Sequence, residues 1–316
     1  MTFRLEPRTD APRWFSAVMT LGALAFAFVV SGFIIWLVGG DPIKSFGHII
    51  VAAFGSVGVI SDTLVKATPL ILTGLACALA FRMHLWNIGA EGQFLLGAWG
   101  ASAIVLAPIL PAGTPAILVI PAMMLAGAIA GGVWGFIPGI LRARLGVNEI
   151  ITTLMLNYVA LFWVQYWVFG PWSKGGFPET EPFPPEAWLP RLTDLAATFP
   201  ILGGLTVHLG LIFGIIVATI MWIALERTRW GYEIRLIGDS PRAARYAGID
   251  INRKIVVVFV ISGALAGLGG MSEVAGVVHG LQDRISPGYG FTAIIIAYLA
   301  ASDRSESSSR RSCSGP

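Results

Sequence analysis

Charge is scarce in this 316-residue chain: Asp, Glu, Lys and Arg together make up 12%, against 55% hydrophobic residues. A soluble domain carries about a quarter charged residues, so the solvent of this chain is mostly hydrocarbon. Cysteine is nearly missing. Cys77 lies inside an apolar segment and Cys313 in a polar C-terminal stretch, which excludes a disulfide framework and a zinc site. Lysine is limited to Lys44, Lys66, Lys174 and Lys254, and no Gly-x-x-x-x-Gly-Lys-Ser/Thr loop occurs, so the chain cannot hold ATP phosphates by that route. His48, His84, His208 and His279 are scattered over separate segments, without a His-Glu-x-x-His or Gly-x-Ser-x-Gly spacing. No catalytic or metal-binding constellation forms, and the chain reads as non-enzymatic.

What is present is a series of long apolar runs separated by short loops. They lie at residues 14–38, 64–81, 94–110, 115–138, 150–169, 206–225, 255–278 and 288–301, and at roughly 20 residues per span they predict an all-α integral membrane protein of about eight transmembrane helices. The first run is too long for a signal-peptide core. Residues 1–13, with Arg4, Arg8 and Arg13, then form a cytoplasmic N-terminal segment, and 14–301 form the transmembrane domain. The net charge of +3 reflects Arg and Lys retained on the cytoplasmic side rather than nucleic-acid binding. With the N-terminus inside, Arg82, Arg142, Arg144 and the cluster from Arg227 to Lys254 all fall inside, and the acidic loop with Glu179, Glu181, Glu186 and Asp194 falls outside. Residues 46–60 are apolar but short, readable as a surface helix or half of a broken span.

Gly127, Gly131, Gly135 and Gly139 recur every four residues and line one helical face. Such a groove lets a second backbone approach closely, and Gly263 and Gly267 repeat it; pore flexibility is the other reading. After Ala301 the composition turns abruptly to Ser, Asp and Arg. The expectation for 302–316 is a frameshift or premature end, with a native polar tail as the alternative.

Three polar groups stand out within the apolar pattern. The segment from Phe81 to Gln93 holds Asn87, Glu91 and Gln93 beside two glycines, Gly89 and Gly92. A carboxylate at membrane depth costs roughly 2.5–3.5 kcal/mol, so the segment is either a broken helix lining a wet path or a turn whose polar residues cap the next helix. Glu149, Thr153 and Asn157 share one helical face, which either lines a path or bonds a neighbouring helix. Glu273, beside Ser272, is a similar case.

The Arg-rich loop 227–253 contains Asp239-Ser240-Pro241 followed by Arg242-Ala-Ala-Arg-Tyr-Ala-Gly-Ile249. Ser then Pro is a helix start, and the segment predicts a short cytoplasmic helix available to a soluble partner.

These motifs together resemble the permease subunits of ATP-binding-cassette (ABC) importers of the simple-sugar and nucleoside branch, similar to ribose permeases. The nearest likeness is to the larger permease of nucleoside systems that work with a basic-membrane-lipoprotein-type binding protein. The resemblance is carried by Thr73-Gly-Leu-Ala76, Asn87-Ile-Gly-Ala-Glu-Gly-Gln93, the segment Gly146 to Tyr158, the segment Asp239 to Ile249, and Ser262-Gly-Ala-Leu-Ala-Gly267. It implies a coupling helix of Arg242, Ala243, Ala244, Arg245, Tyr246, Gly248 and Ile249, with Arg242 where other branches place Glu. It implies a translocation path among Asn87, Glu91, Gln93, Glu149, Thr153, Asn157 and Glu273. It also implies a separate ATPase subunit carrying ATP and Mg, a second homologous permease completing a heterodimer, an extracytoplasmic substrate-binding protein, and a place in the bacterial inner membrane. The implied cargo is a neutral small solute, a nucleoside first and a simple sugar next. A self-sufficient channel or secondary transporter is the competing class.

Overall fold

The structure, a computed structural model, describes residues 13–107, 109–111, 113–195 and 203–312. Most of the expected cytoplasmic N-terminal segment, residues 1–12, lies outside them, as do residues 313–316 of the polar tail. Helices make the fold; among the described residues the only β-type pairings are isolated bridges.

The chain divides into two units at residue 60. The first holds α1 (Arg13–Leu37) and α2 (Pro42–Phe54). Gly39, with φ +87°, lets the chain turn between them. Asp41 then caps α2 by accepting from the amides of Ile43 and Lys44, with Pro42 at the first helical position. The axes of residues 21–37 and 42–54 differ by 117°, so the ambiguous segment begins as the second half of a bent pair.

The second unit contains most of α3 (Val57–Phe81), then α4 (Ala90–Leu106), α5 (Ala116–Leu145), α6 (Glu149–Phe169), α7 (Gly210–Arg227), α8 (Arg229–Asp239), α9 (Pro241–Tyr246), α10 (Ile251–Glu273) and α11 (Tyr289–Ser312). Every apolar run named from the sequence contains a helix. Among the described residues, five helices are long and apolar enough to cross a membrane, or six if the bent pair is one span. The remaining two runs are short: α4 has 17 residues and α11 is apolar only from Tyr289 to Ala300. The α11 helix continues through the first part of the polar tail to Ser312.

Among the five long helices α10 is the most enclosed, and α5 and α4 pack against it most closely. Backbone approach makes this possible. A β-carbon at Gly131 would collide with the Gly263 carbonyl, and one at Gly267 with the Gly127 carbonyl. The glycine stripe is thus a helix-packing device, as in other close membrane-helix contacts. Gly97 of α4 and Gly270 of α10 are equally confined. Helix α5 ends where Gly146, at φ +64°, donates to Arg142 O while Val147 donates to Leu141 O, a left-handed stop that gathers the last carbonyls.

Beyond α10 the backbone widens into a π-helix from Val274 to Val278, closed by His279 in the left-handed region. The loop between α6 and α7 is stitched onto this stretch. Thr180 N donates to Leu281 O, Phe183 N to His279 O and Leu189 N to Ala275 O, at 2.8–2.9 Å.

Candidate functional site

The polar residues of the 81–93 segment and of α6 form one buried network. The Asn87 amide donates to Gln93 Oε1 at 2.8 Å and to Ser262 Oγ at 2.7 Å, while its oxygen accepts from Gly89 N and Gln93 Nε2. Ser262 in turn donates to Ala76 O at 2.7 Å. Asn157 reaches across from α6, accepting from Gly92 N at 2.8 Å and donating to Ile88 O at 2.9 Å. An interrupted backbone deep in a bundle needs such partners, and here Asn87 of the segment itself and Asn157 of α6 supply them. Thr153 sits beside Gly89, where a β-carbon would lie 3.0 Å from the Thr153 Cβ. Thr153 itself back-bonds to Glu149 O, and Glu149 pairs with Arg142 at 3.2 Å.

Glu91 occupies the first turn of α4 and is turned toward α11. Its Oε2 accepts from Gly290 N at 2.7 Å, so the N-terminal ends of the two short helices meet at one carboxylate. The neighbouring residue, Tyr289, joins a second group. Glu273 is 2% exposed; its Oε1 accepts from Lys66 Nζ at 3.1 Å and faces the Tyr289 hydroxyl at 3.4 Å, and its Oε2 has no hydrogen-bond partner. Sequence reasoning missed Lys66 and Tyr289. The signal for Lys66 was a lone ammonium inside an otherwise apolar helix.

At the end of α10 the outer layer gathers Arg191, His208 and His279. Arg191 lies 2.8 Å from His279 Nε2 and donates to Gly276 O at 3.1 Å, and Trp188 stacks on the His279 ring at 4.1 Å. His208 is buried against Gly276, accepting from Gly210 N at its Nδ1. Burial first, then the Arg191 charge and His279, push the His208 pKa down to about 4. His279 is lowered too, by burial and then by Arg191.

At the opposite end of α10 the coupling candidates sit on a braced platform. Helix α8 buries Gly231, Ile234, Ile237 and Gly238 on one face. Arg235 and Arg82 both grip Glu226, at 2.6 and 2.8 Å, and Lys254 pairs with Glu233. Ser240 then caps α9 by accepting from Ala243 N, with Pro241 at the first position. Arg242, Ala243, Arg245, Tyr246 and Gly248 are exposed, Tyr246 at 97%. Ala244 is fully buried, and Ile249 is half-buried against the same core, so these two seat the helix and the others are its outward face. Gly248 has φ +77°, a conformation that lets the chain leave α9 for α10. Beside the platform a cleft of about 470 Å³ opens, walled by α3, α7 and α11 and rimmed by Arg82, Glu226 and Arg235.

Residues 59–304 match the family described as branched-chain amino acid transport system, permease component. The chain belongs to that family. It is 36% identical over 301 residues to a glucose ABC transporter permease of Haloferax volcanii, covering 94% of this chain and 78% of that one. It is 36% identical to a nucleoside ABC transporter permease of Lactococcus lactis, over 89% of this chain and 77% of that one. A guanosine ABC transporter permease of Bacillus subtilis is 35% identical, over 86% and 76% respectively. No solved structure matches. The chain is therefore a multi-pass permease subunit of an ABC transporter, and the channel reading is not favoured. Permeases of this family work with an ATPase subunit and a substrate-binding protein, and the family is one of transport subunits that generally lack an ATPase site.

Proposed function

We propose that this permease, paired with a second homologous permease in a heterodimer, forms the translocation path of an importer for a neutral small solute, a nucleoside or, next, a simple sugar. The solute class follows from the names borne by the relatives, glucose, nucleoside and guanosine permeases, and from the chemistry of the polar groups. Acidic and amide side chains predominate in the network, and its one intramembrane ammonium, Lys66, is already paired. ATP and Mg belong to the partner ATPase.

The observation that carries the reading is α9. A capped six-residue helix, held from behind by Ala244 and Ile249, presents Arg242, Arg245 and a wholly exposed Tyr246 at the end of a platform rooted in α3, α7 and α10. An aromatic anchor flanked by guanidinium groups suits an acidic-rimmed groove on a partner. A rigid base lets a displacement there reach the transmembrane helices as one body. On this reading the α8–α9 end is cytoplasmic, with the N-terminus inside, and the cleft next to it is the inward mouth. The loop after α6 faces the extracytoplasmic binding protein in the inner membrane. Asn87, Gln93, Glu149, Thr153 and Asn157 brace the wall of the path, with Glu91 and Glu273 closest to its lumen.

The test is recovery of this chain from detergent-solubilised native membranes with mass spectrometry of what accompanies it, for the natural chain and for Gly248→Asp. Co-recovery of an ATPase and a second permease, with the ATPase lost in the variant, is the expected result. A chain recovered alone in both cases overturns the importer reading.

A further inference from the structure

Glu273 has one oxygen engaged and one free. Oε1 takes Lys66 Nζ and the Tyr289 hydroxyl, whereas Oε2 is buried and meets no donor from the protein. A buried carboxylate oxygen left unpaired costs about 1–3 kcal/mol or more, and unpaired groups of this kind need an account. The location supplies one. Tyr289, which touches Glu273, begins α11, and the next residue, Gly290, donates to Glu91 at the start of α4. The 17-residue α4 and the short apolar stretch of α11, Tyr289–Ala300, thus begin side by side next to a bonding site that is only half filled, an arrangement like that by which broken helices form solute sites. The α10 backbone loosens into its π-helix immediately after Glu273, a feature frequent at functional positions.

The charges select the ligand. The positive end of α11 is already occupied by the Glu91 carboxylate, so it is closed to an anionic group. Lys66 neutralises Glu273, and its side chain is 56% exposed, so the pair extends from the buried acid to the open side of α3. What remains is an acceptor with no net charge beside it. We propose that Glu273 Oε2 accepts a hydroxyl or N–H donor from an uncharged solute, a nucleoside or sugar, and that the site rejects the phosphorylated forms of the same compounds. The proposal rests on the importer reading and adds to it the contact that reads the solute. A site built around a hydrogen bond discriminates strongly against analogues that lack the donor.

The test is binding of tritiated uridine and, separately, tritiated glucose to the assembled transporter in lipid nanodiscs, without the binding protein. The expected result is saturable binding of uridine, competed by unlabelled uridine but about tenfold or more weakly by 2′,3′-dideoxyuridine and by uridine monophosphate. Glu273→Gln, which places an amide donor where the free acceptor was, is expected to weaken uridine about tenfold or more and to erase the preference over the dideoxy analogue. If Glu273→Gln does not assemble, Tyr289→Phe releases the acid from its hydroxyl partner while keeping the ring, and is expected to shift the same ratio. Unchanged affinity and preference in an assembled variant overturn the proposal, as does equal competition by the monophosphate, or no saturable binding of either labelled solute. Failure of the importer reading is recognised separately, by the ATPase not co-purifying with the natural chain.

Discussion

The Gly290 amide donates to Glu91 Oε2 at 2.7 Å, so the starts of α4 and α11 are joined by the acid of one and the backbone of the other. A β-carbon at Gly290 would run into the Glu91 amide nitrogen and lie 2.6 Å from the Glu91 Cα, both of them backbone atoms that have little room to give way. Gly290→Ala is expected to lose about 1–3 kcal/mol by overpacking. Glu91→Gln, which keeps an acceptor for the same amide, is expected to lose less. Thermal unfolding followed by tryptophan emission in detergent ranks the two; the reverse order would break the argument.

The α5–α10 contact makes a parallel prediction with a built-in control. Gly263→Ala would drive its methyl into the Gly131 carbonyl, whereas a β-carbon at Gly74 meets nothing within 4 Å. The first is expected to destabilise by about 1–3 kcal/mol. Gly74→Ala, inside α3, is expected to be neutral or to stabilise by up to about 1 kcal/mol through helix propensity. Equal melting temperatures for the two variants would mean that the helices do not meet backbone to backbone.

Asn157 bonds both Gly92 N and Ile88 O across from α6. Asn157→Leu fills the volume but strands a buried donor and a buried acceptor, at about 1–3 kcal/mol each. Asn157→Asp keeps the bond from Gly92 and loses the one to Ile88, and is expected to fall between Leu and the natural residue in thermal stability.

Apolar runs located each of the five helices long and apolar enough to span, because burial in lipid is a local property that each segment carries in its own composition. One cap was equally legible: Ser240-Pro241 announced α9. What the sequence could not state was who meets whom. Asn87 and Asn157 read as two separate polar groups, and only the fold shows them meeting at one interrupted backbone. The same holds for the loop after α6, whose order depends on Thr180 finding Leu281 about a hundred residues on. Helix α8 was present as signal and went unread: Ile234, Ile237 and Gly238 lie on one helical face, but the surrounding arginines made the stretch look like a plain loop. Ala244 and Ile249 read as outward contacts because spacing gives a face and not its direction.

Tyr246 separates stability from coupling. At 97% exposure it supports nothing within the chain, so Tyr246→Ala is expected to leave the unfolding free energy within about 0.5 kcal/mol of the natural chain. It is expected also to lower ATPase binding about tenfold or more, the loss typical of an aromatic anchor. Ala244→Leu should behave in the opposite sense, unseating α9 from the core and lowering stability by about 1–3 kcal/mol. Titration of the purified ATPase against the two variants in nanodiscs distinguishes them, and a Tyr246→Ala protein that binds normally would remove α9 from the interface.

The His208 environment predicts an acid sensitivity with a definite sign. The folded chain holds His208 neutral down to a pKa of about 4, against 6.5 for the free side chain, because it is buried and because Arg191 and His279 face it. Above pH 6.5 both folded and unfolded forms leave it neutral. Between pH 6.5 and 4 the unfolded chain takes up a proton that the folded chain refuses, so folding stability falls as pH falls through that window. At about 1.4 kcal/mol per pKa unit the effect reaches a few kcal/mol at its lower limit. His208→Gln, which cannot titrate, is expected to remove this slope. The check is the difference in melting temperature between natural chain and variant from pH 7 to 5, since subtraction cancels the carboxylates that both proteins share. A constant difference across the window would mean that His208 is not held neutral by its surroundings.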